Sequence, residues 1–155
     1  MENNLPDGWA LIGLETCCDI LDNLRIPVNG DERNKRGGNI PYYGATGQVG
    51  FIDDFLFDEE LVLVGEDGAP FFDKSKKVAY RITGKSWVNN HAHVLRAKAE
   101  ITNNKFLEYY LCDFDYTGYV NGTTRLKLTQ GNLRAIPIKL PPPPSSTASL
   151  PSSMP

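Results

Sequence analysis

The run Leu61-Val62-Leu63-Val64 constrains this chain more than any other feature. Successive apolar residues with no polar alternation do not suit a half-exposed strand, and Gly65-Glu66-Asp67-Gly68 stops them before a helical period can develop. The run therefore predicts a buried strand. Val78 to Ile82, Trp87-Val88 and His91 to Leu95 share strand character and are separated by Gly84 and Asn89-Asn90. Upstream, Ile40-Pro41-Tyr42-Tyr43 leads into the Gly-punctuated passage Gly44 to Ile52, which suits short strands joined by tight turns. The middle of the chain is mostly β.

The flanks differ. Leu5-Pro6-Asp7-Gly8-Trp9 reads as a turn before an amphipathic segment, Ala10 to Leu24, in which Leu11, Leu14, Cys18 and Leu21 recur at helical spacing, so strand and helix both stay open there. Val28 to Gly38 is polar and rich in turn formers, and an exposed loop is expected. Lys105 to Leu111 places Phe106, Leu107, Tyr110 and Leu111 on one face of a short helix, with Asn103 or Asn104 as its cap. Tyr119 to Thr124 is a polar loop, Leu126, Leu128 and Leu133 form an apolar set, and Ile136 to Leu140 alternates as a strand that Pro141 to Pro144 stops. The Ser- and Pro-rich stretch Ser145 to Pro155 has little to bury and is expected to be disordered. At 155 residues, 41% of them hydrophobic and 23% charged, the chain suits one globular domain over residues 1–144 with a tail over 145–155. The fold class expected is α+β: a mixed, strongly twisted, β-rich domain with a few short helices.

No apolar run approaches the roughly 20 residues that cross a bilayer. Met1-Glu2-Asn3-Asn4 also lacks the basic-then-apolar start of a signal peptide, so a cytoplasmic location with no membrane partner is expected. Adjacent Cys17 and Cys18 and distant Cys112 outline neither a disulfide framework nor a metal knuckle, and read as buried, reduced thiols. The net charge of -3 conceals a polarity. Residues 1–73 hold 4 basic and 15 acidic side chains, whereas residues 74–155 hold 12 basic and 4 acidic, so -11 and +8 sum to -3 and a basic face is compatible with the acidic total.

Catalytic signatures are weak. Asp53, Asp54, Asp58, Glu59, Glu60, Glu66 and Asp67 are the place where carboxylates could gather around a metal, but no acid is followed two residues later by Lys, as a common Mg-dependent nuclease requires. A solvated acidic face is the plainer reading. His91 and His93 would share one face of a strand, yet further ligands are missing, so both rings are expected to bond nearby acceptors. Asn39-Ile40-Pro41-Tyr42 approaches the Asn-Pro-Pro-Tyr signature of adenine amino-methyltransferases, but Ile40 replaces the first proline. Gly44, Gly47 and Gly50 also lack the spacing of a loop that binds S-adenosylmethionine. The chain is expected to be no enzyme, with no cofactor or metal of its own.

Taken in order, several segments resemble the specificity-subunit family of type I restriction-modification systems. They are Ile40 to Gly47, Leu63 to Ala69, Trp87 to Leu95, Phe106 to Leu111, Gly122 to Leu126, Leu128-Thr129 and Leu133 to Pro143, and the match covers Leu5 to Pro144. The resemblance implies a target recognition domain that reads one half of a split site in double-stranded DNA. In this family two such domains are joined by long helices and hold adenine methyltransferase subunits and a restriction subunit. The partners implied are therefore duplex DNA, those subunits, and a second recognition domain or half-subunit. S-adenosylmethionine, Mg and ATP would be used by the partner subunits. After Pro144 the family continues with Glu-Gln-x-x-Ile and a helix, which this chain lacks. With one choice of codons, a shifted frame of Ser145 to Pro155 reads Glu-Gln-His-Arg-Ile-Ala-Ala-Lys-Leu-Asp-Ala, so a frameshifted remnant of that helix, and a truncated subunit impaired in assembly, are expected. The rival readings are a small metal-dependent DNA-processing enzyme and a β-rich module binding protein or carbohydrate.

Phosphate contacts are expected from Lys74, Lys76, Lys77, Arg81 and Lys85, where the charge changes sign, and from Arg33, Lys35 and Arg36; the alternative is a solvated charged turn. Base reading is expected from Asn121, Thr123 and Arg125, which offer donors on a flexible loop, and from Tyr42 and Tyr43, for which the alternative is core packing. Gly65 to Ala69 and Asn89 to His93, typical of the family, are expected to be framework.

Overall fold

Val62 and Val64 project from one face of the central strand and Leu61 and Leu63 from the other, and each pair enters a different core cluster. All of them are fully buried, as the unbroken apolar run requires. A computed structural model describes residues 8–141. In chain order the elements are β1 (Ala10–Gly13), α1 (Leu14–Cys17), β2 (Cys18–Ile20), a 3-10 turn (Asp22–Leu24), α2 (Gly30–Asn34), β3 (Ile40–Tyr43), β4 (Gln48–Ile52), β5 (Phe57–Asp58), β6 (Leu61–Gly65), β7 (Ala79–Ile82), β8 (Lys85–Val88), β9 (Ala92–Ala97), α3 (Asn104–Asp113), α4 (Gln130–Arg134) and β10 (Pro137–Leu140).

The strands form an antiparallel sheet in the order β2-β9-β6-β7, a mixed sheet in the order β4-β3-β8-β5, and the antiparallel pair β1-β10. In the mixed sheet β3 and β8 run parallel, with Tyr42 opposite Trp87 and Tyr43 opposite Val88. Leu61 and Leu63 share their cluster with Phe57 and Val88 of the mixed sheet, so the two sheets pack face to face. Val62 and Val64 face Leu107 and Leu111 of α3, together with Leu14, Leu128, Leu133 and Ile138. β6 is thus the middle of the domain. Among the described residues no helix is long and apolar enough to cross a membrane.

Local chemistry explains the helices. Asn103 caps α3 by accepting from the Phe106 N–H at 2.8 Å, and Leu107 and Leu111 bury the apolar face as the spacing predicts. Two short helices were not expected. Asn29 accepts from the Glu32 N–H at 2.8 Å and starts α2 inside the expected loop Val28 to Gly38. Thr129 does the same for α4 through Asn132 at 3.2 Å. Turn formers and N-caps are the same residue types, which is why Asn29-Gly30 read as a turn. In the segment Ala10 to Leu24 both readings hold in part, since β1, the single turn α1, β2 and the 3-10 turn follow one another. Leu14 and Cys18 are buried there, but Leu11 is exposed. The expected tail, Ser145 to Pro155, and Pro142 to Pro144 before it lie outside the described residues, as do Leu5 to Asp7.

A buried polar cluster locks the layers together. Asp22 Oδ2 lies 2.6 Å from His93 Nδ1 and accepts from Gln130 Nε2 at 3.1 Å, while Oδ1 accepts from the Val94 N–H at 2.8 Å. His93 Nε2 lies 2.7 Å from the Leu128 carbonyl. Burial by itself would raise the Asp22 carboxyl, but the hydrogen bonds from His93, Val94 and Gln130 and the attraction of the His93 ring outweigh it and hold the carboxyl below its ordinary value.

Two outcomes are expected. Leu63→Ala removes a fully buried side chain between the sheets and should lower the unfolding free energy by about 2–5 kcal/mol in urea titrations. Because the folded Asp22 carboxyl is depressed, its stabilisation is fully present above its ordinary value of 3.8 and is lost as the pH falls through the folded value. Asp22→Asn should therefore cost about 3 kcal/mol at pH 7. It should also flatten the acid limb of the urea midpoint plotted against pH.

Candidate nucleic-acid interface

The backbone of Asn121 exchanges both hydrogen bonds with Lys127, at 2.9 and 2.8 Å, and so closes the loop Gly122 to Leu126. Gly122 sits at φ +108, where a Cβ would collide with the Arg125 carbonyl oxygen, so the turn requires glycine. The stem is held from below. The Gly68 N–H donates to the Leu126 carbonyl at 2.9 Å, the Leu128 N–H to the Glu66 carbonyl at 2.6 Å, and Asn132 Nδ2 to the Tyr119 carbonyl at 2.8 Å. Asn121, Thr123 and Arg125 are all exposed on this loop, so a fixed stem presents an open tip.

The framework segments meet under that loop. Glu66, which follows β6, donates its N–H to the His91 carbonyl at 2.8 Å. Its carboxylate takes Arg25 Nη1 at 2.8 Å and lies 3.9 Å from Lys127 Nζ. Asp67 Oδ1 lies 2.7 Å from His91 Nδ1, and Oδ2 lies 3.6 Å from Arg125 Nε. The β3–β4 turn adjoins, since Tyr80 donates its hydroxyl to the Gly44 carbonyl at 2.6 Å and a Cβ on Gly65 would meet the Ala45 carbonyl oxygen at 3.1 Å.

Beside Gly68 opens a cleft of about 510 Å³ lined by Thr46, Gly68, Ala69, Pro70, Lys76 and Lys77. Gly68 joins the two features: it lines this cleft, and a Cβ added to it would meet the Arg125 guanidinium at 3.3 Å. The cleft therefore places two lysines alongside the loop. A larger groove of about 830 Å³ on the outer side of α3 is aromatic and carries Asp113 and Asp115 against Lys139, a charge balance unsuited to phosphate.

The structure divides the basic residues singled out from the sequence. Lys74 Nζ donates to the Asp113 and Phe114 carbonyls at 2.9 and 3.1 Å, closing the C-terminus of α3. Lys77 and Arg81 share Glu108, at 3.0 and 2.7 Å, and Arg81 also approaches Glu60 at 3.5 Å. Burial would raise the Glu108 carboxyl, but those two cations hold it below the usual carboxylate range. Lys76 remains open, with only Asp73 at 3.9 Å. Lys85 opens β8 in the other sheet, its Nζ 4.9 Å from the centre of the Phe55 ring.

The second basic cluster lies over aromatic rings. The Arg33 guanidinium sits 4.8 Å from the Tyr42 ring centre and that of Arg36 4.8 Å from the Trp87 ring centre, with Asp53 2.9 Å from Arg36. Lys35 beside them is exposed.

The two tyrosines differ in their environment, and only Tyr42 takes the core-packing alternative fully. Tyr42 is 1% exposed and donates its hydroxyl to the Val28 carbonyl at 3.1 Å, so it is a core residue out of reach of a base. Tyr43 is half-buried and packs on Tyr80 at 6.0 Å between ring centres. Strand β3 lies between β4 and β8, and an inner position buries what an alternating pattern cannot distinguish from a surface contact.

The carboxylates do not gather. Asp53 pairs with Arg36, Glu59 with Arg96, Glu60 with Arg81, Glu66 with Arg25, and Asp67 with His91 and Arg125. Among the described residues no group of three His, Cys, Asp or Glu side chains is set to hold a metal. His91 and His93 each bond a separate aspartate. Cys17 and Cys18 are buried and both point at the Leu14 carbonyl, whereas Cys112 is half-buried with Sγ 3.0 Å from the Ala79 carbonyl. Asp67, Gly68 and Thr46 lie at this surface although no sequence pattern singled them out for DNA; Asp67 and Gly68 fall in the Gly65 to Ala69 segment expected to be framework, and no signal marked Thr46 beyond its place in the family-like segment Ile40 to Gly47.

The family model for the type I restriction modification DNA specificity domain matches residues 6–146. A Haemophilus influenzae protein named as a type I restriction enzyme specificity subunit is 36% identical over 129 residues, which is 83% of this chain and 32% of that protein. The fold is similar to the type I restriction-modification S subunit from M. genitalium, with a TM-score of 0.68 at 15% identity over 90% of this chain and 36% of that one. It is also similar to the HsdS subunit from Thermoanaerobacter tengcongensis, with a TM-score of 0.57 at 17% identity over 90% of this chain and 35% of that one. The chain thus spans about a third of the length of these relatives. With the family model running through all the described residues, the chain belongs to the type I restriction modification DNA specificity domain family.

Proposed function

We propose that this chain reads the bases of one half of a bipartite duplex DNA site, using the loop Asn121 to Arg125 together with the cleft that holds Lys76 and Lys77. The observation that carries the reading is the exposed loop on a stem fixed by backbone hydrogen bonds to the Glu66–Gly68 turn, with lysines on the cleft beside it. Rigid scaffolding with a polar, donor-rich tip is what direct readout requires, because Arg offers two parallel donors to guanine and Asn pairs in the same way with adenine. Lys76 and Lys77 would set the register on phosphates without reading sequence. Arg33 and Lys35 on α2 are a second, separate phosphate-contact candidate, and Lys85 a third on β8.

Membership of a specificity family supports a reading in which the chemistry belongs to other subunits. Methyl transfer and cleavage would belong to methyltransferase and restriction subunits that bind this domain, and S-adenosylmethionine, Mg and ATP would be their cofactors. A second recognition domain would read the other half of the site. The paired state of every carboxylate in the acidic stretch around β5 and β6 apart from Asp54 and Asp58 speaks against a nuclease centre there.

A binding titration at two salt concentrations tests the reading. Lys76→Ala with Lys77→Ala should weaken binding to every duplex and reduce the slope of log K against log salt by about 1–2. An unchanged slope would remove the cleft from the interface. Arg125→Ala should leave that slope nearly intact and cost about 1–3 kcal/mol of discrimination at one base pair, measured on duplexes that differ at single positions.

A further inference from the structure

We infer that Asp67 is a positioning residue for base reading: it holds Arg125 in the orientation in which the guanidinium meets a base edge. The inference rests on the proposed role of the Arg125 loop and deepens it. Asp67 Oδ2 lies 3.6 Å from Arg125 Nε, so the carboxylate engages the inner nitrogen of the guanidinium. Among the described residues Arg125 forms no other ion pair, and its side chain is 65% exposed. The two outer nitrogens are therefore left to a two-point acceptor, the pattern that guanine O6 and N7 present in the major groove.

Gly68 supplies the floor. A Cβ at this position would lie 3.3 Å from Arg125 Cζ, 3.3 Å from Nη2 and 3.6 Å from Nη1. Nearly equal distances to these atoms mean that the guanidinium plane lies flat over the glycine. The φ of +74 at Gly68 disfavours any side chain there, so one residue both turns the loop and leaves room for the arginine. Asp67 is itself fixed, since Oδ1 takes His91 Nδ1 at 2.7 Å and its backbone bridges to Lys127. An arginine held in this way loses less rotamer freedom on binding than one that searches from solvent, and its two-point contact gains selectivity.

The test uses the whole chain. Selection from a randomised duplex pool gives the preferred sequence, and affinities are then measured for that duplex and its single-pair variants with the parent, Asp67→Ala, Asp67→Asn, Arg125→Ala and the Asp67→Ala/Arg125→Ala double variant. Asp67→Ala is expected to lose discrimination on the order of tenfold at the one G·C pair where Arg125→Ala loses it, with the salt slope and affinity for unrelated duplex unchanged. The double variant should be no worse than Arg125→Ala alone. If Asp67→Ala weakens all duplexes equally, or leaves that pair fully discriminated while Arg125→Ala does not, Asp67 has no positioning role. If Arg125→Ala changes no preference, or the parent selects no sequence, it is the proposed reading that fails. Asp67→Asn keeps the shape of the side chain and carries the same comparison should Asp67→Ala not fold.

Discussion

The buried pair of Asp22 and His93 is the contact on which the other layers depend. Asp22 comes from the 3-10 turn after β2, His93 from β9, and the two groups that complete the pair, Gln130 and the Leu128 carbonyl, come from the start of α4 and from the segment after the Gly122 to Leu126 loop. The two nitrogens of the His93 ring lie 2.6 Å from the Asp22 carboxylate and 2.7 Å from the Leu128 carbonyl, so the ring bridges two segments. At 1% and 3% side-chain exposure, neither partner has water to turn to. Such a pair contributes less to net stability than its geometry suggests, because desolvation offsets much of the attraction, but loss of one partner strands the other. Its hydrogen bonds join three segments distant in sequence: the 3-10 turn, β9 and the Leu128 to Gln130 stretch.

That network reaches the surface. The Leu128 carbonyl held by His93 adjoins the Lys127–Asn121 bridge, so the buried cluster and the exposed loop are parts of one hydrogen-bonded chain. The proposed reading of bases would require donors held still with their tips free. Here the backbone supplies the stillness, and the Asp67 carboxylate extends it to one side chain.

Charge is distributed by the same logic. An acidic chain can approach DNA only if its cations are not all consumed internally, and many of them are. Lys74, Lys77 and Arg81 attach α3 to its surroundings, Arg36 and Arg33 cover aromatic rings, and Arg25 serves Glu66. On the surfaces considered for DNA, Lys76, Lys35 and Lys85 are exposed, Lys77 stays mostly exposed although its Nζ meets Glu108, Arg33 keeps its charge over the Tyr42 ring, and the outer edge of Arg125 is open. Proximity in sequence grouped Lys74 with Lys76, but their surroundings gave them different work.

From sequence by itself came β6, buried on both faces because four apolar residues leave no polar side to expose, the capped helix α3, the donor-rich loop at Asn121 to Arg125, and the family. These are local or periodic signals, and near-neighbour physics determines them. Only the tertiary structure decided that Tyr42 is core and not a base contact, that Asn29 and Thr129 begin helices, and that the lysines divide between structure and surface. It also decided that Asp67, 58 positions before Arg125, stands behind it. Pairings across such separations depend on which strands become neighbours, and the order β2-β9-β6-β7 is a property of the packed whole that no local window of residues contains.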